Sequence, residues 1–449
     1  MSIIALALWS LIPLALIGSS ALFADEEMHL YSLRELIDSA MASNTEIEEG
    51  TWKVRGESAR LRQANALRFL PRLRLESESG LVPEAKGDVL HPPSDSTGYR
   101  PLGPFGRARL EFVQPLYTFG QISNLQKAAE GGLKAEKAAL EQTRLEITFA
   151  VKELFYGVLL AQDLHTLVER LSDTIDEELG DLPDDELSLS DSYKLKLALL
   201  ELEAQRGEAA RQLELARAAL AWHTGLPDAP PLKLEAQWLA PVEVAVPPLN
   251  QLGNRALTRR PDWRQLQAGL AARKAQVDAA RSAYYPQIFL AGGLRYAAAP
   301  GRTDQHNPFV KDEFNYFNGG VFIGIQQSFE FGLLRAQVDK ARATFRQLKA
   351  KESSAEQGIL LYIQQAYYGY QQAEQDLDKA RQGRQLGRQW LKLAREEYEF
   401  DPDTLKDLIT AFEAWARLEQ SYYEAIYDFN VSLAELEKTA GGIPMNEQP

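Results

Sequence analysis

Carboxylates are the residues of this sequence whose number and spacing could do chemistry, and they lie in two short runs. Residues 173–191 contain nine Asp or Glu and no Lys or Arg, and residues 396–407 contain six acids and one base. Carboxylates gathered in a narrow aqueous passage favour cations, and close neighbours raise one another's pKa. These runs account for the whole net charge of −14. The negative balance argues against a nucleic-acid partner.

Other groups that could catalyse a reaction or hold a metal are sparse. The chain has no Cys, and its five His lie far apart without the HExxH spacing of a zinc site. It contains no GxxxxGK[ST], GxGxxG or GxSxG motif. The sequence therefore predicts no enzyme activity, no cofactor and no resident metal, so active transport would need energy from a partner.

The N-terminal segment is uncharged. No Lys, Arg, Asp or Glu precedes Asp25, and small residues at 19–21 follow an apolar stretch. This pattern predicts that residues 1–24 are a cleaved secretory signal peptide. An uncleaved membrane anchor is the alternative, because the apolar stretch has no basic residue before it.

The second half of the chain repeats the first at a nearly constant offset. Pro71 recurs as Pro286, and three pairs of motifs recur in the same order: Phe119-Gly120 and Phe331-Gly332, Phe155-Tyr156-Gly157 and Tyr367-Tyr368-Gly369, Gly225-Leu226-Pro227 and Gly442-Ile443-Pro444. We predict a first repeat at 25–227 and a second at 249–449. The Pro-rich residues 228–248 are predicted to be an extended connector.

Each repeat is predicted to contain a helix, two strands, a very long helix and a returning helix. The first helices, 33–70 and 249–285, end before a proline. Period-two alternation predicts four strands, at 71–80, 107–119, 287–296 and 319–331. The long helices are predicted at 121–179 and 333–399, and the returning helices at 188–224 and 404–440.

The first long helix has an apolar residue at every seventh position. These residues are Leu133, Leu140, Ile147, Leu154, Ala161, Val168 and Ile175. A sustained heptad repeat predicts packing against another helix. At 1.5 Å per residue the helix would be about 90 Å long, roughly three times the hydrocarbon thickness of a bilayer, so it must stand mostly in water.

The predicted fold class is mostly α with a small β part, in which long antiparallel coiled-coil helices form an α-barrel. Four strands cannot close a membrane barrel, because the smallest barrels have about eight strands and sheet edges are not tolerated in lipid. The strands of several copies would therefore have to share one transmembrane β-barrel.

This architecture resembles the TolC-type outer-membrane efflux proteins, which serve tripartite efflux or type I secretion systems. The local signatures are Phe69-Leu70-Pro71 and Tyr284-Tyr285-Pro286 before the strands, the run from Gln114 to Gly120 after them, and Gly-Leu/Ile-Pro closing each unit. The resemblance implies a homotrimeric exit duct in the outer membrane of a Gram-negative bacterium, extending into the periplasm. It also implies a periplasmic adaptor and an inner-membrane pump of the RND, ABC or MFS type as partners.

The same resemblance places the gate at the periplasmic helical turns. Asp191 resembles the family's gate aspartate, Tyr398 its constriction tyrosine, and Asp407 the first of two lumen aspartates. Further gate or lumen candidates are Asp401 and Asp403.

Three positions depart from the family pattern. Asp401 replaces the turn glycine, Asp403 the gate arginine and Thr410 the second lumen aspartate. The family's Asp–Arg gate pairing therefore does not carry over, and we expect a tip that opens by charge repulsion. The alternative is that these acids are solvated turn residues that favour helix N-termini.

The resemblance also implies that partners dock at the ends of the two helical hairpins. The candidate adaptor-docking residues are Asp184, Asp185, Leu187, Leu189, Leu405 and Leu408.

Two further questions remain open from the sequence. Strand residues Arg72, Arg74, Arg107 and Arg109 either line a lumen, where they would favour anions, or meet lipid head groups. The alternative function is a periplasmic coiled-coil structural or tethering protein held by an uncleaved N-terminal anchor.

Overall fold

The computed structural model describes residues 29–87, 90–91, 101–179, 189–226, 232–401 and 404–442. In the first half, the described elements are β1 (Leu30–Tyr31), α1 (Leu33–Ser43), α2 (Thr45–Phe69), β2 (Arg72–Pro83), β3 (Leu102–Tyr117), α3 (Gln121–Leu179), α4 (Leu189–Thr224) and β4 (Lys233–Leu234). In the second half, they are α5 (Leu249–Arg259), α6 (Pro261–Ser282), β5 (Gln287–Ala298), β6 (Tyr316–Gln326), α7 (Leu333–Phe400) and α8 (Leu405–Thr439). The chain is mostly helical with a small β part, as predicted. The predicted signal peptide lies outside the described residues.

The first helix predicted in each half is divided in two. Within 33–70 the chain leaves the helical conformation at Asn44, whose ψ is 126° and whose side chain caps α2. Within 249–285, Arg260 has a non-helical ψ of 127° and Pro261 begins α6. Asn at an N-cap and Pro in a first turn both favour a new helix start, but the helical composition around them conceals these local signals.

The long helices agree closely with the prediction. The helix α3 spans 59 residues with the predicted bounds, and α7 spans 68 residues, ending one residue later than predicted. Each packs against its returning helix, α3 against α4 and α7 against α8, while α3 also contacts α2, α6 and α8.

The heptad stripe of α3 is only part of its buried surface. Ile147 is buried, but Leu133, Leu140, Leu154, Ala161 and Val168 are half-buried, and the side chain of Ile175 is not described. The core of the chain also contains Val151, Phe155 and Val158, which lie outside the stripe. Because α3 packs against several helices, its buried face is wider than the single seam of a two-stranded coiled coil.

The four long strands form one antiparallel sheet in the order β2-β3-β5-β6. The central pairing, β3 with β5, joins the two halves of the chain. The last strand is displaced from the predicted 319–331 to Tyr316–Gln326. Beyond it, the Gln327 side chain donates to the Tyr284 carbonyl at 3.2 Å, and Gly332 takes a φ of 85° before α7.

The described part of the connector, 232–248, is held against the helices by buried polar groups. The Leu239 N–H donates to the Asp163 carboxylate at 2.8 Å, and Asn430 both accepts from the Val242 N–H and donates to the Ala240 carbonyl, each at 2.9 Å. Burial raises the pKa of Asp163. These bonds satisfy backbone groups that the prolines prevent from forming regular structure.

None of the described helices has an apolar stretch long enough to cross a bilayer.

Glu419 is a buried carboxylate between α7 and α8. It is 1% exposed and accepts hydrogen bonds from Arg384 Nε at 2.8 Å, Arg388 Nε at 2.6 Å and Trp415 Nε1 at 3.2 Å. Burial alone would raise the pKa of Glu419, but the two guanidinium groups outweigh it and hold the pKa below its usual value. The network fixes α8 against α7 on the way to the hairpin end.

We expect Glu419→Ala to lower the stability of the α7–α8 hairpin by about 3 kcal/mol, the low end for breaking a buried ion pair, because Arg388 can still reach water. Circular dichroism melting should show a lower Tm, and hydrogen exchange of 384–423 should be faster. The matched control is Glu413→Ala, which removes an exposed acid from the same helix.

The loss of stability in Glu419→Ala should depend on pH. The folded pKa of Glu419 lies below the reference value of 4.5, so its stabilisation is complete above that value and is lost as the pH falls through the folded pKa. The Tm difference between the native protein and Glu419→Ala should therefore narrow in acid. A difference that stays constant from neutral to acidic pH would contradict the role assigned to the carboxylate.

Candidate functional site

The four-stranded sheet has one charged face and one apolar face. In an antiparallel pair, residues directly opposite one another project from the same side. The register joins Arg74 with Glu111, Glu76 with Arg109, and Arg109 with Arg295. Every charged residue of the four strands lies on this face: Arg72, Arg74, Glu76, Glu78, Arg107, Arg109, Glu111 and Arg295.

Ion pairs link several of these side chains. Arg74 contacts Glu76 at 2.7 Å and Arg107 contacts Glu78 at 2.5 Å, whereas Arg109 lies 3.9 Å from Glu76. All these groups are at least partly open to solvent, so each pair contributes little to stability. The arrangement suits a surface in contact with water.

The opposite face of the sheet is apolar and exposed. Leu75 is 70% exposed and Ile325 71% exposed, although both belong to regular strands. Other large apolar side chains on this face are Leu73, Leu110, Leu294, Tyr296, Phe317, Val321 and Ile323. A continuous apolar surface of this kind marks contact with a membrane or another protein.

Among the residues that the structure describes, the two edges of the sheet are unpaired. There, the strand β2 pairs only with β3, and β6 pairs only with β5. These edges are 12 and 11 residues long, and each presents a row of backbone groups that can pair with another strand.

The second group of candidate residues lies at the end of the α7–α8 hairpin. After α7 ends at Phe400, the Asp401 N–H donates to the Glu397 carbonyl at 2.9 Å. The Thr404 hydroxyl donates to the Asp401 carbonyl at 2.7 Å, just before α8 begins. Residues 402–403, which include the candidate Asp403, lie outside the described part of the chain.

The apolar candidates at this end pack inside the hairpin. Leu408 is buried with Ala394 and Ala411, and Tyr398 packs against this group. Leu405 is also buried, at 7% exposure. In the isolated chain these leucines stabilise the hairpin and do not project towards a partner.

The acidic candidates are placed differently. Asp401 and Asp407 are exposed at the hairpin end. Asp191 and Leu189 lie in α4, although their side chains are not described, and Asp184, Asp185 and Leu187 fall outside the described residues. The structure therefore brings Tyr398, Asp401 and Asp407 to one end of the second hairpin, and the first hairpin's end is not described.

Two features were missed in the sequence. Phe400 is 91% exposed at the end of α7, although an aromatic residue in a helical pattern usually signals a core position. The Glu419 network was also missed, because its partners on α7 are more than 30 residues away in sequence. The corresponding position in the first predicted repeat, Leu202, is apolar. This difference between the repeats could have marked Glu419 as a residue with a special role.

In the described part of the chain, no group of three His, Asp or Glu side chains is arranged to hold a metal ion.

Comparison with known proteins supports a single relationship. Residues 252–442 match the family model described as "Outer membrane efflux protein". The chain is 24% identical over 317 residues to the cation efflux system protein CusC of Escherichia coli K12, in an alignment that covers 68% of this chain and 64% of the relative. The chain therefore spans less than two thirds of the curated relatives that it matches.

Solved structures show the same fold along most of the chain. The Campylobacter jejuni CmeC outer membrane channel is 18% identical with a TM-score of 0.71, covering 93% of this chain and 87% of CmeC. The open state of the Neisseria gonorrhoeae MtrE outer membrane channel is 20% identical with a TM-score of 0.72, covering 91% and 89%.

These relationships confirm the resemblance drawn from the sequence motifs, and with it the outer-membrane location. The chain has the fold of the TolC-type channels, and its second half, residues 252–442, resembles the outer membrane efflux protein family.

Proposed function

We propose that this protein is the outer-membrane exit duct of an efflux or secretion system. The observation that carries the proposal is the sheet, which combines an exposed apolar face, a charged face and two unpaired edges. Placed in a bilayer, the apolar face would contact lipid and the charged face would line water. No open sheet edge is tolerated in lipid, so other copies must pair with both edges.

A trimer satisfies this requirement. Three copies with four strands each form a barrel of about twelve strands, within the known range of transmembrane barrels. Because neighbouring strands alternate in direction through β2-β3-β5-β6, β6 of one copy can join β2 of the next in antiparallel pairing. The barrel is then closed by the same pairing three times, as cyclic symmetry requires.

The helices give the duct its length. At 1.5 Å per residue, the 68 residues of α7 extend about 100 Å. The hairpins of three copies would continue the barrel as an α-barrel through the periplasm. We propose that the hairpin ends contact a periplasmic adaptor, and that an inner-membrane pump of the RND, ABC or MFS type supplies the energy.

Phe400 supports a role for the hairpin end in docking. An aromatic side chain that is 91% exposed beside a packed apolar cluster is the kind of anchor that partner proteins bury. Leu405 and Leu408 would then act indirectly, by holding the hairpin in the shape that presents Phe400.

The acidic hairpin ends are proposed as the gate. Three-fold symmetry would turn Asp191, Asp401, Asp403 and Asp407 each into a ring of three carboxylates around the passage. Such rings attract cations and repel one another. The tip would be held closed by partners, divalent ions or protons and would open when they are removed.

Among these relatives, only CusC has a stated cargo. CusC is described as a cation efflux protein, whereas CmeC and MtrE are described as outer membrane channels without a stated cargo. The alternative function, a periplasmic tethering protein with an uncleaved anchor, does not account for an apolar sheet face. It predicts a body that stays in solution once residues 1–24 are removed.

Closure between copies can be tested by cross-linking, since the chain has no Cys of its own. In a Ser77→Cys/Val321→Cys variant, one thiol lies on each edge strand and both project from the apolar face. Two strands separate them sideways within a chain, about 14 Å at the usual strand spacing, and a four-residue offset along β6 adds to this distance, so a short bismaleimide should link only neighbouring copies. We expect a ladder on denaturing gels that ends at the trimer.

The two single-Cys variants are the controls, and they should give no band above a dimer. A double variant that remains monomeric after cross-linking in membranes would contradict barrel closure.

The gate can be tested by planar-bilayer currents of the full-length protein. Asp407→Asn and Asp191→Asn should each lower the cation-to-anion permeability ratio several-fold, because each removes three carboxylates from the trimer. The matched control is Glu424→Gln, an exposed acid on α8 away from the hairpin end. Reversal potentials that are the same in all variants would show that these acids do not line the passage.

A further inference from the structure

The charged face of the sheet carries an excess of positive charge. It contains five Arg and three Glu, a surplus of two positive charges per chain, in a protein whose net charge is −14. This excess concerns the passage only if the proposed duct exists, so the inference rests on the proposed function.

The three glutamates do not neutralise the arginines. Glu78 is paired with Arg107, and Glu76 with Arg74. Arg109 lies 3.9 Å from Glu76 and 3.8 Å from Glu111, longer than a direct hydrogen bond. This arrangement leaves Arg109 only loosely paired.

Arg295 has no carboxylate partner among the described residues, although its side chain is exposed on the same face. Its direct neighbours across the strands are Arg109 on β3 and Asn318 on β6. Two like charges directly opposite in a sheet destabilise it. The repulsion between Arg109 and Arg295 therefore lowers the local stability of the sheet, and strand packing does not explain why the two residues lie opposite each other. A bound anion would reduce this repulsion.

The position of this pair along the barrel can be derived from the strand. Arg295 is the ninth residue of β5, which begins at Gln287 next to the helices. Eight steps of about 3.4 Å along a strand tilted by about 40° place it roughly 20 Å beyond the helical end. The pair thus lies towards the outer mouth, at the opposite end of the molecule from the acidic hairpin ends.

We propose that Arg109 and Arg295 of the three copies form an anion-binding ring near the outer mouth of the duct. The ligand class is small multivalent anions that carry carboxylate, phosphate or comparable oxygen or cyanide groups. Guanidinium groups suit such ligands because their fixed fork of donors can be shared with an anion and they stay charged at every working pH.

The experiment uses the purified full-length protein in planar bilayers, with hexacyanoferrate(II) as the probe. We expect the anion to reduce the current when it is added on the side of the outer mouth. In Arg109→Gln/Arg295→Gln, the half-blocking concentration should rise at least about tenfold, since six positive charges leave the ring. Block by a multivalent anion is the chosen readout because the acidic tip lies in series and dominates the reversal potential.

Two further variants separate charge from structure. Arg109→Lys/Arg295→Lys keeps the charge and should retain most of the block. Arg273→Gln/Arg346→Gln removes the same number of exposed arginines from the helices and should leave the block unchanged. Isothermal titration of hexacyanoferrate(II) into the detergent-solubilised protein measures the same site without needing an open tip.

The outcomes distinguish the ring from the duct. Channels that conduct but show neither block nor titration, or that lose nothing in the double Gln variant, would overturn the ring and leave the duct in place. A protein that inserts into membranes but neither conducts nor cross-links into trimers would overturn the duct, and the ring with it.

Discussion

A sheet that is apolar on one face, charged on the other and open at both edges is the constraint on which the rest of this protein depends. Leu75 and Ile325 lie exposed on strands, and in the described part of the chain β2 and β6 end the sheet with unpaired backbone groups. Water alone leaves the apolar face exposed, and lipid alone leaves the charged face and the edge backbone groups without hydrogen-bond partners. The chain is therefore incomplete as a single copy, and its proposed assembly follows from backbone hydrogen bonding and the hydrophobic effect together.

The long helices are stabilised in another way, by packing within hairpins and by buried polar groups. The second hairpin is held by Leu408, Ala394 and Ala411 at its end and by the Glu419 network further along. The connector is fixed at the middle of the molecule by Asp163 and Asn430. Buried polar groups with complete partners set the register of helices that apolar packing alone would leave free to slide.

Charge is distributed along the molecule in a way that the net value of −14 conceals. The excess acids lie in residues 173–191 and 396–407, which the proposed duct places at its entrance, and the arginine excess is concentrated on one face of the sheet. In the proposed duct, a solute would enter past carboxylates and leave past guanidinium groups. The two ends would therefore favour opposite ions, and cargo selection would depend on both.

The sequence by itself determined the two long helices and the existence and order of the four long strands, because heptads, period-two alternation and Phe-Gly or proline signals are local. The sequence analysis did not locate the helix breaks at Asn44 and before Pro261, because at each place a single residue that favours a new helix start is surrounded by residues that favour helix. Only the tertiary structure decided which residues meet. Strand register placed Arg109 opposite Arg295 and every strand charge on one face. Helix packing buried Leu405 and Leu408 and exposed Phe400, because burial depends on partners that are distant in sequence.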